Sequence, residues 1–120
     1  MNINSRYIKD VSQVGNLTIV RLSKSVTFES LSVIQKEYAE ATKAKKTKNI
    51  LFDLKEVLEI NSAGVAGLLD LLRYMKSHHI DGKVGLLNLS KNTESLLSIS
   101  KVADAFKTYN SEKEAIEELG

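Results

Sequence analysis

The pattern of apolar and polar residues changes period along the chain, and each change predicts an element. Residues 7–11 and 17–22 are short segments whose residues favour β-strands, and they lie on either side of Gly15-Asn16. This is the pattern of a hairpin with a tight turn. From residue 28 the apolar positions recur every three or four residues, as on one stripe of a helix over 28–44. That stripe comprises Phe28, Leu31, Ile34, Tyr38 and Ala41, and the polar side comprises Glu29, Lys36, Glu37 and Glu40.

A buried strand and a second helix follow. The apolar run 50–52, continued by Leu54, is typical of a strand covered on both faces of a parallel sheet. A loop is predicted over 56–60, and a helix is predicted to begin near Ser62. Its apolar stripe comprises Val65, Leu68, Leu69, Leu72 and Met75, with Asp70, Arg73 and Lys76 on the opposite side.

The last third of the chain continues this alternation. A turn at Asp81-Gly82 precedes a buried strand over 84–87, and Ser90 is the predicted cap of a short helix that carries Leu96, Leu97 and Ile99. A strand over 106–109 and a helix over 112–118 follow, the helix capped by Ser111 and with Ala115, Ile116 and Leu119 facing inward. Because strands alternate with helices, we predict one α/β domain over 1–120, with a mostly parallel central sheet opened by an N-terminal hairpin and about four helices packed on it.

Composition and charge exclude several classes of protein. A chain of 120 residues with 42% hydrophobic side chains can bury one core, and a net charge of +2 excludes the highly charged disordered class. The densest basic cluster, Lys43, Lys45, Lys46 and Lys48, lies where the first helix ends, so we interpret it as a solvated helix end rather than a phosphate-binding patch. The absence of cysteine excludes disulfides and thiolate chemistry. No direct nucleic-acid partner is predicted.

No segment suggests a membrane protein. The first ten residues lack the apolar stretch of a signal peptide. The longest apolar run, over 63–69, is far shorter than the roughly 20 residues needed to span a bilayer. We therefore expect a cytoplasmic protein without membrane insertion.

The sequence also offers no catalytic constellation. It contains neither the glycine-rich phosphate loop nor the Gly-x-Gly-x-x-Gly dinucleotide motif. His78 and His79 are adjacent, so on a helix they point about 100° apart and cannot bind one metal ion together. They also lie more than three helical turns from Ser62, too far to activate it. The sequence thus predicts no enzyme, no cofactor and no metal ion.

The junction between the third strand and the second helix, residues 61–64, is the one remaining candidate site. A hydroxyl at Ser62 can cap the helix, while Gly64 and Ala66 leave room for another backbone to approach. Alternatively, Ser62 is a modifiable serine at the carboxyl end of a central strand, where open α/β sheets place their sites. The local residues leave both interpretations open.

Several segments together resemble the signature of STAS domains, the anti-sigma factor antagonist family. That signature is an apolar strand ending in Asp-Leu, then an apolar-Asp-Ser-Ser/Thr-Gly turn, then a leucine-rich helix. Asp53-Leu54, Ser62 and Gly64 match it. The resemblance continues in order through the strand over 84–87, Leu97, Val102, Phe106, and Ser111-Glu112 with Ala115.

The resemblance implies a non-enzymatic switch that acts by binding other proteins. In the family, a partner kinase phosphorylates the serine that corresponds to Ser62. The implied partners are an anti-sigma factor or serine kinase of the ATPase fold, and a serine phosphatase. The implied partner-binding residues are Thr27, Asn61, Ser62, Ala63, Gly64 and Val65.

Three of these positions depart from the family pattern. Asn61 stands in place of the aspartate, Ala63 in place of the second hydroxyl residue, and Thr27 in place of an acidic residue before the first helix. Such residues also fit an alternative function, a constitutive STAS scaffold subunit that is never phosphorylated. A phospho-receiver domain has a similar alternation of strands and helices but is disfavoured, because the segment Leu22-Ser23-Lys24 lacks the carboxylates that such a domain needs.

Overall fold

The computed structural model describes residues 7–42, 48–78, 82–100 and 107–120. Within them, strands and helices alternate after an opening hairpin, as predicted. The elements are β1 (Ile8–Val14), β2 (Leu17–Val26), α1 (Phe28–Thr42), β3 (Asn49–Ile60), α2 (Ser62–His78), β4 (Val84–Leu87), α3 (Lys91–Ser100), β5 (Lys107–Tyr109) and α4 (Glu112–Leu119).

The five strands form one sheet in the order β1-β2-β3-β4-β5. β1 is antiparallel to β2, whereas β2, β3, β4 and β5 run parallel to one another. The hairpin turn contains Gly15 at φ +59°, a conformation that glycine adopts without steric cost. The prediction of an α/β fold with a mostly parallel sheet, an N-terminal hairpin and four helices is therefore confirmed.

Helices cover both faces of the sheet. Residues of α1 and α2, including Ile34 and Leu68, pack with Phe52 of β3 on one face, and Leu96 of α3 joins the edge of that cluster. On the other face, Leu119 of α4 packs with Leu51. Burial on both faces explains why β3 begins with consecutive apolar residues.

The predicted loop over 56–60 is wrong, because these residues continue β3. Ser23 pairs with Glu56 and Val26 pairs with Ile60, whereas β4 pairs only with residues 50–53 of β3. A two-stranded extension of the sheet, residues 23–26 and 56–60, therefore reaches past the end of β4. We call this extension the β2–β3 ribbon. It carries the chain to the start of α2.

Two residues of α1, Glu37 and Ala41, lie on the side of the helix opposite to the one predicted. Glu37 is buried. Its Oε1 atom accepts hydrogen bonds from the backbone N–H groups of Tyr7 and Ile8, both at 3.1 Å, and its Oε2 atom lies 3.3 Å from the nitrogen of Tyr7. These bonds compensate for burying the carboxylate. The buried stripe also ends at Tyr38, since Ala41 in the last turn is exposed.

Replacing Glu37 by alanine should lower the free energy of unfolding by about 1–3 kcal/mol, because the N–H groups of Tyr7 and Ile8 lose their acceptor. Glu37→Gln retains one side-chain oxygen and should lose less. Lys36→Ala, at the exposed neighbouring position, serves as the control. Urea denaturation measures all three, and an equal loss for Lys36→Ala and Glu37→Ala would contradict the assignment.

The predicted caps of α3 and α4 are confirmed. Ser90 caps α3 by accepting a hydrogen bond from the N–H of Thr93 at 3.1 Å, and Ser111 caps α4. No helix in the described part of the chain is long and apolar enough to cross a bilayer. The predictions for Lys43, Lys45, Lys46, His79, Asp81, Val102 and Phe106 lie outside the described residues, as do the side chains of Phe28, Leu72, Met75, Lys76, His78, Leu97 and Ile99.

Candidate functional site

The candidate site lies at the tip of the β2–β3 ribbon. β3 ends at Ile60 and α2 begins at Ser62. Ile60 pairs with Val26, the last residue of β2. The junction therefore lies at the carboxyl end of a central strand, which is where the sequence predicted it.

Asn61, not Ser62, occupies the cap of α2. The Oδ1 atom of Asn61 accepts a hydrogen bond from the N–H of Gly64 at 2.7 Å, and its carbonyl oxygen accepts one from the N–H of Val65 at 2.9 Å. This is the geometry of an N-cap residue, which precedes the first helical residue. Ser62 is thus the first residue inside the helix, and its side chain is outside the described set. The prediction that Ser62 caps the helix is corrected.

Three of the predicted partner-binding residues lie in the interior. Val65 is 1% exposed and belongs to the main core cluster. Thr27 is buried at the start of α1, where its N–H donates to Ser30 Oγ at 2.9 Å. A Cβ atom on Gly64 would overlap the carbonyl oxygen of Val26, so the backbone that approaches this glycine belongs to the chain itself. Thr27, Gly64 and Val65 are therefore buried within the junction and do not form its surface.

The outward side of the junction is small and uncharged. Asn61, Ala63 and Ala66 are exposed, and we call them the turn surface. The first turn of α2 contains no acidic residue. The positive end of the helix dipole at Ser62 is therefore not balanced by a carboxylate of that turn.

Asp53, the aspartate of the Asp-Leu pair, has a structural role away from the turn. Its Oδ2 atom lies 2.7 Å from Arg21 Nη1, and its Oδ1 atom accepts hydrogen bonds from Asn88 Nδ2 and from the N–H of Lys55, both at 3.0 Å. Arg21 also contacts Glu112 of α4 at 2.8 Å. The hydrogen bond with Glu112 is the main cause of the raised pKa of the Arg21 guanidinium. This network joins β2, β3, α4 and Asn88, the residue that follows β4.

The described side chains do not assemble other chemistry at the turn. No group of three or more histidine, aspartate or glutamate side chains among them could hold a metal ion. The pKa of Tyr109 is also shifted from its ordinary value. Burial and the Glu118 carboxylate raise this pKa to about 12. That tyrosine belongs to the core cluster under α4. The described part of the turn can form a contact, but it offers no acid, base or nucleophile beyond the position of Ser62.

Replacing Asn61 by alanine should lower the free energy of unfolding by about 0.5–2 kcal/mol, because the N–H of Gly64 loses its acceptor. Asn61→Asp should retain the cap and gain about 0.3–1 kcal/mol from the helix dipole. Asn110→Ala, an exposed asparagine that precedes the cap of α4, is the matched control and should change stability by less than about 0.5 kcal/mol. Thermal melts of the three variants test the assignment, and it fails if Asn61→Ala melts like wild type.

Several solved structures share this fold. No curated protein sequence matches the chain. Among solved structures, a candidate anti-sigma factor antagonist from Thermotoga maritima is 22% identical with a TM-score of 0.74, over 91% of this chain and 92% of that chain. An anti-sigma-factor antagonist (STAS) domain protein from Planctomyces limnophilus is 16% identical with a TM-score of 0.72, over 91% and 95% of the two chains.

A third similar structure is the Bacillus cell fate determinant SpoIIAA in its phosphorylated form. It is 18% identical with a TM-score of 0.65, over 92% of this chain and 98% of that chain. At such identities the likeness establishes the shared fold. The family model of the STAS domain matches residues 9–115, which is nearly the whole sequence. The chain therefore belongs to the STAS domain family.

Proposed function

We propose that this protein is a non-enzymatic regulatory switch of the anti-sigma factor antagonist type. The observation that carries the proposal is the exposed, uncharged turn surface around the first residue of α2, Ser62. Membership of the STAS family and the structural likeness to anti-sigma factor antagonists support it. The unmodified turn surface binds a partner, and phosphorylation of Ser62 releases that partner.

The small side chains of the turn surface favour close docking. Ala63 and Ala66 project little beyond the backbone, and Asn61 uses its side-chain oxygen within the chain as the cap of α2. None of the three side chains of the turn surface carries a charge that a docking partner would have to displace. Unmodified Ser62 adds only a hydroxyl to this contact.

A phosphate on Ser62 would change binding far more than folding. It adds about −1.5 to −2 charges at pH 7. Within a packed contact this charge must be desolvated. In the free protein the same charge lies at a helix N-terminus, where it is favourable. Phosphorylation therefore weakens partner binding without destabilising the free protein.

The partner class follows from the family. We propose an anti-sigma factor or serine kinase of the ATPase fold, which supplies its own nucleotide, and a serine phosphatase that restores the unmodified state. One of the similar solved structures is itself a phosphorylated protein. Because the kinase needs ATP, we place the protein in the cytoplasm. We propose no direct nucleic-acid partner and no membrane insertion.

The second candidate function is a constitutive STAS scaffold subunit that is never phosphorylated. The neutral Asn61 and Ala63 favour it, because a permanent contact needs no carboxylate to orient a phosphoacceptor hydroxyl. Recovery of the affinity-tagged protein from its own cells, followed by intact-mass analysis, separates the two functions. The switch predicts a kinase partner and one phosphate on Ser62, absent in Ser62→Ala and retained in Ser90→Ala. In the switch, the partner-bound fraction is unmodified and the phosphate is found in the unbound fraction. A stoichiometric complex with no phosphate in any recovered fraction therefore supports the scaffold and contradicts the switch.

A further inference from the structure

Leu58 is the most exposed large hydrophobic residue in the described part of the chain. The residue is 89% exposed, compared with 41% for Val33 on α1. Val57 and Ile60, on the same stretch of β3, pack against the core. Leu58 alone in this stretch of apolar residues is turned outward.

A distortion of the β2–β3 ribbon produces this exposure. Lys24 pairs with Val57 and Ser25 pairs with Glu59, so Leu58 is an extra residue in β3 at a β-bulge. On the opposite strand Lys24 has φ +67°, a conformation that costs free energy for any residue other than glycine. Bulges redirect side chains, and local strain of this kind is concentrated at functional sites. The two irregularities coincide at Leu58.

Leu58 lies within reach of anything that covers the turn surface. Three residues of extended chain separate it from Asn61, a span of at most about 11 Å. A typical protein interface covers about 800 Å² on each partner, equivalent to a patch of about 16 Å radius. A partner of ordinary size centred on Asn61 and Ala63 can therefore extend as far as Leu58 when it approaches from the side that Leu58 faces.

Glu56, two residues before Leu58 on the ribbon, is already paired. Glu56 Oε2 lies 2.6 Å from Lys9 Nζ of β1. A partner thus need not supply a cation for Glu56, and Leu58 is the feature of this stretch that gains most from leaving water. A complementary surface would present an apolar pocket.

We propose that Leu58 is an apolar anchor for the protein that docks on the turn surface, inserted into a pocket of that protein. The proposal rests on the proposed function, since it assumes a partner at the turn. In this proposal the bulge turns Leu58 toward the partner. It also distinguishes Leu58 from isolated surface leucines, which need no explanation.

Crosslinking in the cell tests the location of the contact. A photoreactive benzoylphenylalanine is placed at position 66, at position 58 or, as control, at position 33. Capture of the same ATPase-fold serine kinase or anti-sigma factor from positions 66 and 58, but not 33, supports the proposal. Capture from position 66 alone, or capture of a second copy of this chain at 58, overturns it and leaves the proposed function intact. Failure at position 66 contradicts the proposed function itself.

Titration with the purified protein captured at position 66 tests the energetic role. Leu58→Ser should weaken binding at least tenfold, and Leu58→Met should restore most of the affinity. Val33→Ser removes an apolar side chain that is also exposed and should leave binding unchanged. Because Leu58 makes little contact within the fold, the melting temperatures should match that of wild type. Wild-type affinity for Leu58→Ser would overturn the proposal.

Discussion

Replacing Leu68 by alanine should lower the free energy of unfolding by about 2–5 kcal/mol. Leu68 is 2% exposed and lies on the inner face of α2, in the cluster that contains Phe52 and Val65. The loss combines the transfer free energy of the deleted atoms with the cavity that remains. A domain of this size has a free energy of unfolding of about 5–15 kcal/mol, so this loss is a large fraction of the total stability.

Asp70→Ala is the matched control for Leu68→Ala. Asp70 lies on the exposed side of the same helix, and its Oδ1 atom is 3.6 Å from Arg73 Nη1. An exposed pair of this kind contributes about 0–1 kcal/mol. Urea denaturation of both variants should shift the midpoint strongly for Leu68→Ala and slightly for Asp70→Ala. Equal shifts would mean that the sheet-facing side of α2 has been misassigned.

The helices were predictable because their apolar periodicity is local. The spacing of Leu31 and Ile34 places them on the buried side of α1, and that of Val65 and Leu68 does the same for α2. The short buried strands were predictable for a similar reason, since a run of apolar residues bounded by polar ones needs cover on both faces. Neither inference depends on distant parts of the chain.

The second half of β3 was missed because its strand character depends on a distant partner. Residues 56–60 mix charged and apolar side chains without regular alternation, and the bulge at Leu58 breaks the period further. This segment is a strand only because it pairs with residues 23–26 of β2. Glu37 was misplaced for the same kind of reason, since its hydrogen-bond donors are about 30 residues away.

At the site, the sequence located the turn but not the roles of its residues. Asn61 and Ser62 both favour helix caps, and only the hydrogen bond to Gly64 shows that Asn61 occupies that position. The small size of Gly64 correctly indicated a close backbone approach. Which backbone approaches, that of Val26, is a tertiary property that no local pattern records.

Replacing Ser62 by aspartate should abolish most of the binding to the partner kinase or anti-sigma factor. A carboxylate enclosed in the contact without a cation costs about 3 kcal/mol or more, which corresponds to more than a hundredfold increase in Kd. Ser62→Glu should behave in the same way. Ser62→Ala keeps a small, uncharged side chain and should bind like wild type.

The same variants should leave folding almost unchanged. Since Asn61 provides the cap, Ser62→Ala should cost less than about 0.5 kcal/mol. Ser62→Asp places a carboxylate in the first turn of α2 and should gain about 0.3–1 kcal/mol from the helix dipole. Stability and binding should therefore change in opposite directions for Ser62→Asp, which excludes misfolding as the cause of lost affinity.

Calorimetric titration of the partner kinase into wild type, Ser62→Ala and Ser62→Asp, with melting curves for each protein, tests the central claim most directly. We predict tight binding for wild type and Ser62→Ala, a more than hundredfold weaker affinity for Ser62→Asp, and a melting temperature for Ser62→Asp at or above that of wild type. Wild-type affinity for Ser62→Asp would show that Ser62 lies outside the contact, and it would contradict the switch.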